Sequence, residues 1–187
     1  MFLNFIMICQ FLNNNKIILP SNRKLIVNGE GPPIVFSSGL MNTVPTSFYS
    51  SLFSDIRQRK FTVLTIHDWR PMKKKDVEDI ANALGVTQVG FLSHSLFDPE
   101  ILHSTRIKFG VFCDPINIPS LKKYDVQFDV RFIKAQKLYF GNIYFPKFLD
   151  PSLTSVVDTI LYENVGHTDI LNDPYASFSR WTKWWDT

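Results

Sequence analysis

The chain has 187 residues, a length that points to one compact domain over residues 1–187. With 45% hydrophobic and only 20% charged residues it can fill a buried core, which excludes a disordered protein. Its net charge of +3 is small and evenly spread, so it gives no electrostatic case for a nucleic-acid partner.

The N-terminal stretch Met1 to Leu12 is apolar. It falls short of the roughly 18 to 20 residues of a membrane-spanning helix. It also lacks the basic start and small-residue cleavage site of a signal peptide. Residues 1–15 therefore read as an apolar arm or extra strand, with peripheral membrane contact as the minority reading and no transmembrane segment expected. Cys9 and Cys113 have neither metal-ligand spacing nor the pattern of a disulfide framework, which fits a reducing, cytoplasmic compartment.

Beyond Asn13-Asn14-Asn15, Lys16 to Pro20 and Lys24 to Val27 read as a hairpin turning at Ser21-Asn22. Ile34 to Phe36 is a short apolar strand. Ser47 to Arg59 is a helix, because Phe48, Leu52, Phe53 and Ile56 recur at three- and four-residue spacing. Phe61 to Ile66 is β-branched and apolar, hence a strand. In Lys75 to Leu84 the residues Val77, Ile80, Ala81 and Leu84 share one helical face, and Gly85 stops the helix. Val86 to Leu92 is a strand, and a further helix is expected from near Ser95. Phe109 to Cys113, Leu138 to Phe145 and Ile160 to Tyr162 are further strands, and Asp173-Pro174 opens a terminal helix. Alternating strands and helices predict the α/β class, a mostly parallel sheet with helices on both faces. Chemistry in such sheets sits beyond the carboxyl ends of the strands.

Four strand ends carry chemical side chains. Ser37-Ser38-Gly39-Leu40-Met41-Asn42 follows the strand at 34–36, and Ser93-His94-Ser95-Leu96-Phe97-Asp98 follows the one at 86–92. Asp114-Pro115 follows the strand at 109–113, and Glu163-Asn164-Val165-Gly166-His167-Thr168-Asp169 follows the last. A serine, an acid and a histidine in that order, each just past a strand, match the chain order of an α/β-hydrolase triad. From about Lys16 onward the sequence resembles that superfamily. Asp76 to Leu96 looks like its helix, turn, strand and nucleophile elbow. The Asp-Pro pair and Gly-His-Thr-Asp look more like its chlorophyllase and small lipase or esterase branch.

The resemblance implies Ser95 as nucleophile, His167 as general base and then acid, and Asp114 as the group that orients His167. It implies an oxyanion hole from the backbone N–H groups of Leu96 and Leu40. Asp150, in Asp150-Pro151, is the alternative acid, and Asp158 is a distant third. Each residue also has a plain structural reading: Ser95 as a helix N-cap, His167 as a turn residue, Asp114 as a turn initiator. The elbow normally reads Gly-x-Ser-x-Gly, and here Ser93 and Phe97 stand at the glycine positions. Ser38 stands where a histidine commonly precedes the oxyanion-loop glycine.

His94 reads as a packing and hydrogen-bonding residue. No pair among His67, His94, His103 and His167 has metal-ligand spacing, so no metal or cofactor is expected. The 24 residues between Cys113 and Leu138 are too few for a large helical lid. Met41, Phe97, Phe132 and Phe145, with Phe128, Ile133 and Phe148, are the candidates for an apolar acyl or alkyl pocket. The leading expectation is a serine esterase or lipase-like enzyme acting on a small apolar or lipid-like ester. The alternative is a catalytically weak protein of the same fold that binds an apolar ligand.

Overall fold

A computed structural model describes residues 16–39, 44–66, 68–115, 126, 128–137 and 157–172. The expected arm over 1–15, the strand over 138–145 and the terminal helix from Asp173 lie outside the described residues. The strands are β1 (Lys16–Ile18), β2 (Lys24–Asn28), β3 (Pro33–Ser37), β4 (Thr62–Ile66), β5 (Val89–His94), β6 (Ile107–Cys113), β7 (Asp129–Lys137) and β8 (Val157–Gly166). Among the described residues two α-helices accompany them, α1 (Ser50–Gln58) and α2 (Lys74–Ala83).

The strands form one sheet in the order β1-β2-β4-β3-β5-β6-β7-β8. β1 and β2 are the expected hairpin, and β2 also runs antiparallel to β4; all other neighbours are parallel. Alternate residues of the parallel strands feed two cores. Val35, Leu64, Phe91, Phe112 and Phe132 pack beneath Val77, Ile80 and Ala81 of α2. Ile34, Phe36, Val63, Leu92 and Val111 pack with Leu52, Phe53 and Ile56 of α1. The period-2 alternation of the strands thus meets one amphipathic helix on each face. The path β3–α1–β4 lies on one face and β4–α2–β5 returns on the other. The strand order therefore reverses between β3 and β5, and a ligand crevice is expected outside their carboxyl ends.

The buried guanidinium of Arg23, just before β2, ties the hairpin to the segment after β4. It donates to both carboxylate oxygens of Asp68, at 2.9 and 2.7 Å, and also to Asp76 and the Arg70 carbonyl. With the Pro71 carbonyl at 3.1 Å, four residues satisfy a charge that would otherwise be costly to bury.

Four sequence expectations need correction. Phe48 is not on the buried helix face: it sits in a 3-10 turn, Thr46–Tyr49, and is 54% exposed. Tyr49 takes the inward position, in step with Leu52, Phe53 and Ile56. No α-helix starts at Ser95. The chain bends there, and a short 3-10 helix, Pro99–His103, follows. Pro99 biases Asp98 away from helical backbone, and the Asp98 carboxylate caps the turn by accepting from Glu100 N–H. β7 lies within the segment between Cys113 and Leu138, where no strand was expected, and β8 extends beyond Ile160–Tyr162 at both ends.

Candidate active site

β3, β5, β6 and β8 all end at the same side of the sheet, and the serine, acid and histidine of interest sit at three of those ends. Ser95 follows β5 directly. Its backbone N–H donates to the Cys113 carbonyl at 2.9 Å, extending the β5–β6 ladder by one residue. Its φ is then +67°, a left-handed conformation rare for a residue with a side chain. Such a conformation costs on the order of 1–3 kcal/mol and persists only where its surroundings enforce it. Here the ladder bond holds the N–H side, and burial of Phe97 draws the chain back toward the sheet. The result is a sharp turn with Ser95 at its apex, as a nucleophile elbow requires.

Asp114 follows β6 in the same way. Its N–H donates to the Ile133 carbonyl at 2.6 Å and its φ is +43°. Its carboxylate meets His167 Nδ1 at 2.6 Å, and both residues are buried. A carboxylate only accepts here, so Nδ1 carries the proton and Nε2 is the nitrogen left for proton transfer. The neighbouring thiol of Cys113 is fully buried, and burial together with the Asp114 charge pushes its pKa up, which leaves it an inert core residue.

The His167 ring lies over the ring of His94, with centroids 4.4 Å apart. His94 is the residue directly before Ser95, so the imidazole of His167 is beside the elbow. Among the described residues the Ser95 hydroxyl makes no hydrogen bond to His167. His94 itself is fixed at both nitrogens: Nδ1 meets the Tyr49 hydroxyl at 3.0 Å and Nε2 meets the His167 carbonyl at 2.9 Å. Burial, then repulsion from His167, lowers the His94 pKa from 6.5 to about 4, so its ring is neutral near pH 7.

The remaining candidates fall into three groups. Leu96 is half-buried, and among the described residues no backbone hydrogen bond occupies its N–H. Phe97 and Phe132, expected in a substrate pocket, pack instead into the core on the α2 side. Phe97 is 2% exposed with its ring 4.6 Å from Phe112, which stacks on Phe132 at 5.1 Å. Leu40, Met41, Phe145, Phe148, Asp150 and His67 lie outside the described residues, and Leu40 is the residue expected as second oxyanion donor. Ser93, at the first glycine position of the elbow, is buried with no hydrogen-bond partner for Oγ among the described residues.

Among the described residues, no group of three or more His, Cys, Asp or Glu side chains could hold a metal ion. No helix among them is long and apolar enough to cross a membrane. Tyr49 is the site residue that sequence reasoning missed. The signal was present, because Tyr49, Leu52, Phe53 and Ile56 follow the helical i, i+3, i+4, i+7 pattern better than the register beginning at Phe48.

Solved structures share this architecture along most of the chain. A CIB-like hydrolase from Thermoplasma acidophilum superposes with a TM-score of 0.64 at 12% identity, covering 91% of this chain and 96% of that one. Naproxen esterase from Bacillus subtilis gives 0.65 at 11% identity, with 91% and 90% covered. An α/β-hydrolase enzyme from a lagoon-sediment metagenome of Mar Chica, Morocco, gives 0.64 at 15% identity, with 88% and 94% covered. No protein-family model matches the chain, and no curated protein matches it in sequence. The chain has the α/β-hydrolase fold, as its sequence resemblance implied.

Proposed function

We propose that the protein is a serine hydrolase of the esterase or lipase-like type, acting on small apolar or lipid-like esters. The observation that carries this reading is the buried 2.6 Å contact between Asp114 and His167, beside a serine held at φ +67° at the same end of the sheet. In this reading His167 Nε2 takes the Ser95 proton as Oγ attacks the ester carbonyl, and Asp114 stabilises the resulting imidazolium through Nδ1–H. The tetrahedral oxyanion accepts from Leu96 N–H and, by the family resemblance, from Leu40 N–H. His167 then protonates the departing alcohol, and water resolves the acyl-enzyme by the same route. Because no α-helix begins at Ser95, the oxyanion depends on individual N–H donors rather than on a helix macrodipole. An ester is favoured over other acyl groups by the esterases among the fold neighbours.

A second reading is a catalytically weak protein of this fold that retains an apolar ligand. It draws on the unlinked Ser95 hydroxyl and on Ser93 and Phe97 in place of the elbow glycines. Hydrolysis of p-nitrophenyl esters of graded acyl length separates the two. The hydrolase reading expects turnover that Ser95→Ala abolishes. Turnover equal in both proteins, or absent in both, rejects it.

A further inference from the structure

Four segments of the site are joined by one unbroken hydrogen-bond chain that none of the triad roles uses. Gly39 N–H, at the exit of β3, donates to Tyr49 Oη at 2.9 Å. Tyr49 Oη lies 3.0 Å from His94 Nδ1, and His94 Nε2 lies 2.9 Å from the carbonyl oxygen of His167. The direction of every bond is fixed by chemistry. A carbonyl only accepts, so Nε2 of His94 carries a proton. A neutral ring then has a bare Nδ1, which accepts from the Tyr49 hydroxyl, and the Tyr49 oxygen is left to accept from Gly39. The proton states suit this arrangement, since burial pushes the Tyr49 hydroxyl up to about 12 and holds His94 down at about 4.

The links are also rigid. The Tyr49 ring is packed edge-on against Phe36 at 4.7 Å and against Phe48 at 5.0 Å. Gly39 is shaped to this contact: a Cβ there would stand 3.1 Å from Tyr49 Oη and 3.4 Å from His94 Nδ1. A side chain at Gly39 would therefore press directly on the strap.

We propose that Tyr49 and His94 are positioning residues, a strap that sets the Gly39 amide at the exit of β3 and the main chain of His167 in one fixed relation. Resting on the serine-hydrolase reading, the strap couples Gly39, the residue before Leu40, to the base through the residue that precedes Ser95. It spans the switch point between the paired strands β3 and β5 and reaches the end of β8, which β6 and β7 separate from them in the sheet. A neutral His94 beneath His167 also suits the reaction, because a charged ring 4.4 Å away would oppose the imidazolium formed there.

Tyr49→Phe tests the strap with the loss of one oxygen atom. Two measurements are made on a variant whose melting curve shows it folded. The first is NMR: amide exchange at Gly39 and the ring 15N shifts of His94 and His167. The strap predicts faster exchange at Gly39, loss of the single Nε2–H tautomer of His94, and a shift at His167. Unchanged signals at all three overturn it, whether or not the protein is an esterase. The second is ester turnover, where kcat is expected to fall about 10- to 100-fold with KM within about 3-fold, as for a misplaced catalytic group rather than lost binding. His94→Gln, whose amide nitrogen falls near Nε2, keeps the donation to the His167 carbonyl and is expected to retain about 10-fold more turnover than His94→Ala. Equal loss in those two variants, or an unchanged kcat in Tyr49→Phe, overturns the positioning role. Absence of turnover in the wild-type protein with the NMR response intact removes the hydrolase reading and leaves the strap standing.

Discussion

Phe97 stands where a nucleophile elbow normally has glycine, and its burial yields a quantitative expectation. The side chain is 2% exposed and lies 4.6 Å from Phe112, in a run of rings that continues to Phe91 at 5.7 Å and Phe132 at 5.1 Å. Truncation to alanine removes a whole ring from a packed core, and buried Phe→Ala changes cost about 3–5 kcal/mol. Position 97 is outside any helix, so no helix-propensity term is added. For a chain of this length each 1 kcal/mol moves Tm by roughly 2–4 °C, so about 4 kcal/mol lowers Tm by about 8–16 °C. Thermal and urea denaturation of Phe97→Ala beside the wild type make the measurement, with esters of short and long acyl chains assayed below the transition. Acyl-chain preference is expected to be unchanged, because the ring fills the core. A loss under about 1 kcal/mol, or a changed chain-length preference at near-normal stability, would refute the core role and restore Phe97 as a pocket wall.

Two further outcomes follow from the same geometry. Asp114→Asn keeps the shape of the acid but removes its charge beside His167, so turnover is expected to fall by about 10²- to 10⁴-fold while Asp150→Asn keeps most of it; steady-state kinetics decide, and the reverse ranking moves the acid to Asp150. His94, faced by Tyr49, His167 and Asp114, gives a pH signature. Its folded pKa of about 4 lies below the unfolded 6.5, so between these values the unfolded chain binds a proton that the folded chain refuses. Stability contributed by neutral His94 is complete above the unfolded value and declines as pH falls toward the folded one, a loss of about 3 kcal/mol in all. Urea titrations from pH 7 to 4 should show this limb in the wild type and lack it in His94→Gln; identical slopes would contradict it.

Much of the fold was legible because its elements obey local rules. The hairpin at Ser21-Asn22, the apolar strands at β3 and β4 and the stripe Val77, Ile80, Ala81 on α2 are each set by neighbours in sequence. β7 was not legible for a tertiary reason. Its Arg131 is buried at 4% exposure between Val130 and Phe132, and nothing local distinguishes such an arginine from a solvent-facing charge. The helix expected at Ser95 was a misreading of signals that were present, since Asp98-Pro99 argues for a cap and a break.

At the candidate site, Ser95, Asp114 and His167 stood out because each lies shortly beyond an apolar strand, in the order serine, acid, histidine; that Ser95 and His167 are the first residues past their strands is what the structure adds, since β5 and β8 run on to His94 and Gly166. The link from Tyr49 to His94 and on to His167 was not readable. Its members are 45 and 73 residues apart, and β6 and β7 separate β5 from β8 in the sheet, so only the turn before α1 and the residues just past β8 bring them together. The inward turn of Phe97 was equally hidden, because its partner Phe112 sits on a different strand.

The central claim is that Ser95 is a nucleophile activated by His167. A fluorophosphonate probe tests it most directly, because the probe bonds covalently only to an activated serine. Intact mass after labelling should show one adduct per chain, and peptide mapping should place it on Ser95. His167→Ala should slow labelling by at least about 100-fold, since the hydroxyl then has no base. An unlabelled wild-type protein, or an adduct on a residue other than Ser95, would contradict the account.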